Sequence, residues 1–244
     1  MSSLLNGQWA VVTGATSGIG AAITEALVAR GVKVAGVVRD AERLDSASRR
    51  YGEAFLPVAV DLSVCGKRAE AFARLAAELP RVDLVVNNAA EVVYESPVAL
   101  DTDRWRRLLE VNLLAGMELV RAAAPKMRPG GQVVNVSSVT ARFVAAPKFA
   151  PYGLTKSALE DWTEAIRMEL APRGIKVSLV VPGLVDTPIY DKAAGFERTK
   201  AKLVEAVPQW LSAKDVADAV LWMLERPAGV VVSELVLLPQ GQSR

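Results

Sequence analysis

Histidine is absent from the 244-residue chain. Its absence takes imidazole out of proton transfer and removes His-based triads and most zinc sites, so no metal centre is expected. A single cysteine, Cys65, cannot form an internal disulfide, which fits a reducing compartment. No apolar run reaches the roughly 18–20 residues of a membrane span. Met1-Ser2-Ser3-Leu4 also lacks the positive start of a secretory leader, so the expectation is a cytoplasmic protein with no membrane partner. Charge of one sign is lacking too: 29 basic residues face 27 acidic ones, for a formal charge of +2 with no basic block. Nothing electrostatic therefore calls for nucleic acid.

What the chain does have is a steady alternation of short apolar runs and helical patterns. With 51% hydrophobic and 23% charged residues it is ordinary globular material, long enough for one large α/β domain. Trp9-Ala10-Val11-Val12-Thr13 reads as a strand. Gly14-Ala15-Thr16-Ser17-Gly18-Ile19-Gly20 follows, and a helical pattern runs on through Ala22, Ile23, Ala26 and Leu27 to Gly31. A strand, a glycine-rich turn and a helix N-terminus make an anion site, because unpaired backbone N–H groups and the positive end of the helix dipole point at one place. Many such turns carry glycine for tight packing alone; here the flanking strand and helix supply the context that a dinucleotide site requires.

The second strand ends at Val38, before Arg39-Asp40. In dinucleotide folds this tip meets the adenosine ribose, where an acid binds the 2′-hydroxyl and a base accepts a 2′-phosphate. Val38 stands where the acid is expected and Arg39 follows, which points to NADP rather than NAD. The bland alternative has Arg39 snorkelling at a strand end and Asp40 capping the next helix. A third strand, 55–60, ends in Asp61-Leu62-Ser63, where Asp61 either reaches an adenine amino group or caps a turn. Residues 66–79 read as a helix, and a fourth strand closes on Asn87-Asn88-Ala89-Ala90. From Asp101 to Met127 the apolar spacing is helical and wide, with Asn112 inside it. A buried amide costs free energy unless bonded, so Asn112 bridges backbone, holds a water or kinks the helix.

Val133-Val134-Asn135-Val136-Ser137-Ser138 reads as a buried strand delivering a hydroxyl to a sheet edge. Tyr152-Gly153-Leu154-Thr155-Lys156 then opens a long amphipathic helix, with Tyr152 and Lys156 on one face. A free tyrosine has a pKa of about 10, and an adjacent ammonium favours its phenolate. Lys156 is therefore expected to pull Tyr152 toward the working pH while Ser138 orients a substrate oxygen. After a sixth strand ending at Pro182-Gly183, residues 184–210 have mixed polarity and read as an insertion covering the site. Ser212 is expected to cap a helix from Ala213 to about Glu225, and Leu235–Leu238 to form the last strand. This alternation predicts a single α/β domain spanning residues 1–244, a Rossmann-type doubly wound, seven-stranded parallel sheet with right-handed crossovers.

From Trp9 to Leu238 the sequence resembles the classical short-chain dehydrogenase/reductase family. Thr13 to Gly20 is similar to its Thr-Gly-x-x-x-Gly-x-Gly loop, and Asn87 to Ala90 to its Asn-Asn-Ala-Gly element, with Ala90 in place of glycine. Pro182-Gly183 with Thr187 is similar to the segment contacting the nicotinamide carboxamide. The resemblance implies Asn112, Ser138, Tyr152 and Lys156 as the catalytic residues. For the cofactor it implies Gly14, Thr16, Ser17, Gly18, Ile19 and Gly20 at the phosphates, with Arg39, Asp61 and Leu62 at the adenosine. Asn88, Ala89, Tyr152, Lys156, Pro182, Gly183, Val185 and Thr187 complete that site. The implied activity is an NADP-dependent oxidoreductase (EC 1.1.1.-) acting on a carbonyl or secondary alcohol of a small molecule, with NAD the lesser cofactor. Catalytically silent dinucleotide-binding regulators or scaffolds, and dehydratases or epimerases on the same fold, are the rival readings.

The interval from Ser138 to Tyr152 is one residue longer than is common in that family, so its loop is expected to bulge. The C-terminal Val232–Gln240 resembles the branch containing 3-hydroxy acid (serine-type) dehydrogenases and clavulanate dehydrogenase. Candidate substrate walls are Val92, Val93, Val144, Phe149, Leu184, Tyr190 and Trp210, with Arg142 and Lys148 as anchors for an acidic group. The apolar width of the helices at 101–127 and 151–171 suggests a homodimer or homotetramer.

Overall fold

In the computed structural model, which describes residues 4–144, 146–193 and 195–242, the strands in chain order are β1 (Trp9–Thr13), β2 (Lys33–Val38), β3 (Phe55–Ala59), β4 (Leu84–Asn87), β5 (Gln132–Val136), β6 (Lys176–Pro182), β7 (Val185–Asp186), β8 (Leu211–Ser212) and β9 (Glu234–Leu237). Helices α1 (Gly18–Val28), α2 (Ala41–Tyr51), α3 (Cys65–Glu78), α4 (Thr102–Leu109), α5 (Ala115–Ala123), α6 (Ala150–Leu170), α7 (Glu197–Ala206) and α8 (Ala213–Leu224) connect them. Seven strands form one parallel sheet in the order β3-β2-β1-β4-β5-β6-β9.

Helices cover both faces of the sheet, so its strands are continuous apolar runs whose neighbouring residues enter different cores. Val12, Val86 and Val134 join Ile23, Leu27, Val220 and Leu224 under α1 and α8. Val11, Val85 and Val133 join Phe72, Leu75, Leu119 and Ile166 under α3, α5 and α6. The order runs one way from β1 through β2 and the other way from β1 through β4. Beyond the carboxyl ends of those strands a crevice opens, and the glycine turn lies at its mouth.

Two departures from the expected elements bear on function. The helix read from Asp101 to Met127 is divided: α4 passes through a π-helical turn at Glu110–Leu114 into α5, and Asn112 lies inside that turn. A π turn widens the helix and breaks the regular spacing, which periodicity alone does not register. The segment 184–210 is closed at its base by β7 pairing with β8, Val185 opposite Leu211 and Asp186 opposite Ser212. These strands of two residues form a second small sheet too short to leave a period-2 pattern. The long interval before Tyr152 is taken up by 3₁₀ turns at Val139–Ala141 and Pro147–Phe149. As expected, Ser212 caps α8, in a reciprocal box with Asp215.

Gly20 shows how tightly the first turn packs. A Cβ there would lie 2.2 Å from the Gly14 carbonyl oxygen and 2.4 Å from Asn88 Nδ2. Gly20→Ala is expected to cost about 1–3 kcal/mol of stability, the range for overpacking a filled site. Urea denaturation checks this, and an unchanged midpoint would mean that the turn yields freely.

Candidate active site

A cleft of about 840 Å³ runs along the carboxyl end of the sheet. Its walls include Gly14, Thr16, Ser17, Gly18 and Ile19 at one side, Arg39, Asp61 and Leu62 at one end, and Ser138, Tyr152, Lys156, Pro182, Gly183, Val185 and Thr187 at the other, with Asn88 and Ala89 between. Among the catalytic and cofactor residues expected from the sequence, only Gly20 and Asn112 stand behind this surface. Both support it from beneath.

The glycine turn is tied to the end of β4. Thr13 Oγ1 accepts hydrogen bonds from the backbone N–H groups of Asn88 and Ala89, each at 3.0 Å, and Asn88 Nδ2 donates to the Thr13 carbonyl at 3.0 Å. Gly14 holds φ at +68° and Gly18 at +50°, in the left-handed region that glycine enters without strain. Ser17 at the N-cap of α1 makes no side-chain cap bond. The first N–H groups of α1 are thus uncapped beside the cleft, an arrangement that suits a pyrophosphate.

Lys156 is buried, and its Nζ donates to the Val136 carbonyl at 2.7 Å while lying 5.8 Å from the centre of the Tyr152 ring. Burial lowers its ammonium to about 8, with the nearby Glu160 charge opposing. The Tyr152 phenol is pushed above its ordinary value, chiefly by burial and further by Tyr190, with Ser138 acting against the shift. The expectation of a phenol acidified by its lysine is corrected on this point. Burial dominates the phenol, and the group brought toward neutrality is the lysine. Ser138 Oγ accepts from Thr140 Oγ1 at 2.9 Å and from the Thr140 N–H at 3.3 Å, which fixes it at the rim of β5.

Asn112 resolves among its three readings as a bridge. Its Oδ1 accepts from the Glu91 N–H at 2.8 Å, and its Nδ2 donates to the Glu91 carbonyl at 2.9 Å and to Thr155 Oγ1 at 3.0 Å. Thr155 Oγ1 donates onward to the Tyr152 carbonyl at 2.8 Å. The amide therefore holds the segment after β4 and the first turns of α6 in one register. Beside it, a cavity of about 10 Å³ lined by Thr13, Asn87, Asn112 and Lys156 is close to the size of one water.

At the end of the cleft away from Tyr152, Arg39 lies 3.8 Å from Asp61 and 3.7 Å from Glu91. Asp61 accepts from the Ser63 N–H at 2.9 Å and the Ser63 hydroxyl at 2.7 Å. Burial raises the Asp61 carboxyl, but these bonds and the charges of Arg107 and Arg39 hold it below its ordinary value. Arg107 grips Glu91 with Nε at 2.8 Å and Nη2 at 2.5 Å and donates to Ser63 Oγ at 2.6 Å. Asp40 caps α2 through the Arg43 N–H, as its bland reading had it, while Arg39 faces the cleft.

The family model for short chain dehydrogenases matches residues 8–197. This chain belongs to the short-chain dehydrogenase family. A probable NADP-dependent dehydrogenase of Haemophilus influenzae is 33% identical over 239 residues, which is 96% of this chain and 94% of that protein. A short chain dehydrogenase of Burkholderia cenocepacia, solved in complex with NADP, is similar at a TM-score of 0.86 and 30% identity, covering 96% of this chain and 98% of the other. A serine dehydrogenase solved in its closed form with NADP+ gives a TM-score of 0.87 at 26% identity over 97% of each chain.

In this short-chain dehydrogenase the expected substrate walls are met in part. Val92, Val93 and Tyr190 line the cleft, joined by Pro188 and Ile189. Val144 is exposed, and Phe149 is packed behind the cleft wall against Tyr94 and Phe196. Trp210 supports Tyr190 edge-on at 5.8 Å, and the Leu184 N–H is taken by Gln242. The two expected anchors for an acidic group lie elsewhere. Arg142 is bound to Glu160 at 3.0 Å and to Glu234 at 2.6 Å, and Lys148 sits 5.4 Å from the centre of the Tyr94 ring. A cation's reach is long, and its choice among several carboxylates is set by tertiary placement that a single sequence does not carry. Glu91 and Arg107 escape the sequence for the same reason, and Thr155 because its partner Asn112 lies 43 residues away.

Proposed function

We propose that the chain moves a hydride reversibly between NADP(H) and a carbonyl/secondary-alcohol pair on a small molecule. The observation that carries this reading is a single cleft with Ser138, Tyr152 and Lys156 at one end and an uncapped helix start with Arg39 toward the other. Bound there, a nicotinamide supplies or accepts the hydride. In the reducing direction Tyr152 gives its proton to the substrate oxygen, and Ser138 hydrogen-bonds that same oxygen. A phenol kept protonated by burial is the form that this step needs. Lys156, with its ammonium at about 8, changes charge near working pH and so stands ready to return the proton. Asn112 keeps Tyr152 in place through Thr155, and the small cavity it shares with Lys156 suits a water on the route to solvent.

Val92, Val93, Ile189 and Tyr190 favour a substrate with an apolar body. The segment 184–210 acts as its cover. Leu109 at the end of α4, Leu114 in the π turn and Leu154 on α6, apolar yet exposed, support pairing with a second copy.

Arg39 supports NADP over NAD, in line with the cofactors of the Haemophilus and Burkholderia relatives. Arg39→Ala is expected to weaken NADPH binding by about 1.5–3 kcal/mol and leave NADH nearly untouched. Fluorescence titration of both nucleotides decides it, and an equal loss would return Arg39 to a surface role. Activity itself is tested by following NADPH oxidation across a panel of aldehydes and ketones. Binding without turnover would favour a regulator, and product without net cofactor consumption a dehydratase or epimerase.

A further inference from the structure

Resting on the NADP reading, the structure assigns Glu91 to cofactor discrimination: its carboxylate competes with a 2′-phosphate for Arg39. The backbone of Glu91 is clamped by the Asn112 amide on both its N–H and its carbonyl, so its place four residues beyond β4 is fixed. From there its side chain grips Arg107 with two short bonds and reaches to 3.7 Å from Arg39. Asp61, at 3.8 Å, faces Arg39 as well. Arg39 and Arg107 thus meet Asp61 and Glu91 here, while the other arginines lining the cleft are paired too, Arg43 with Asp40 and Arg104 with Glu95, so the charges of these groups balance. A 2′-phosphate brings about 1.5–2 further negative charges. To be bound it must draw Arg39 away from both acids.

Arg39 is well suited to such a transfer. Its side chain is more than half exposed, and its ion pairs are longer than a hydrogen bond, so they are cheap to break. Of the two competing acids, Asp61 is committed to the Ser63 turn. Glu91 is the one whose charge can be removed while one of its two bonds to Arg107 is kept, through an amide oxygen.

Glu91→Gln is therefore expected to tighten NADPH and adenosine 2′,5′-bisphosphate by about fivefold, while NADH and ADP change by less than about 1.5-fold. In an Arg39→Ala background the gain should vanish. Calorimetric titration of the four nucleotides with the wild type, both single variants and the double variant reads this directly. Glu91→Ala repeats the test should the glutamine variant fail to fold. An equal shift for phosphorylated and unphosphorylated ligands, no shift, or a gain that survives in Arg39→Ala would each overturn the assignment to Glu91 while leaving the NADP reading in place. Wild-type protein that binds none of the four would instead overturn the functional reading, and this inference with it.

Discussion

Tyr152→Phe is expected to lower the turnover number for carbonyl reduction by about 10²–10⁴-fold, the range supplied by a positioned general acid. The ring would keep its packing, since Tyr152 belongs to a buried apolar group with Val92, Phe149 and Phe196 that has no need of the hydroxyl. Nucleotide affinity should stay within about twofold of wild type, because the glycine turn and Arg39, proposed to hold the nucleotide, are untouched. The loss should then fall on kcat alone. Measuring kcat for a substrate found in the aldehyde and ketone panel, with NADPH affinity beside it, separates a chemical role from a packing one. A variant that keeps more than a tenth of wild-type turnover would remove Tyr152 from the chemistry.

Lys156→Met should abolish turnover and at the same time stabilise the cofactor-free fold near pH 7 by about 1–2 kcal/mol. The sign follows from the direction of the shift. A lysine whose ammonium is lowered from 10.5 to about 8 is charged in both the folded and unfolded states at pH 7, and the folded state bears the whole cost of burying it. Two to three pH units correspond to about 3 kcal/mol, from which the lost bond to the Val136 carbonyl takes back roughly 1 kcal/mol. As pH rises from about 8 to 10.5 the folded state sheds its proton first, so wild type regains that stability and methionine cannot. The difference between the two should narrow over this window and reverse at its upper end. Denaturant unfolding of both proteins at a series of pH values reads it, and a pH-independent difference would place the Lys156 charge elsewhere.

Which parts of this molecule could be read from its sequence depended on how local their causes are. Strands such as Val133–Val136 declare themselves because a sheet covered on both faces admits little but apolar residues. The glycine turn is legible for a similar reason: Gly14 and Gly18 answer backbone angles, and Gly20 answers a clash within the same turn. Arg68 shows the opposite case. It precedes Phe72 and Leu75 on the buried face of α3, a place where sequence alone has little reason to put an arginine. Its guanidinium is fully buried, bonded to Glu118 and the Leu62 carbonyl and paired with Glu110, partners 42–50 residues away except for Leu62. The acidity of Tyr152 is hidden likewise, since spacing puts Lys156 beside it but does not say how deeply both are buried.

The short pairing of β7 with β8 has a consequence for how such a chain changes over time. Because Leu184 and Leu211 meet at one point, the residues between them leave the sheet and return to it almost at the same place. A stretch fastened in that way can be exchanged for another of different length or character without altering the register of any strand of the main sheet. An exchange begun beyond Tyr190, so that Val185 and Thr187 keep their places in the cleft wall, would change what borders the cleft and leave Ser138, Tyr152 and Lys156 where they are.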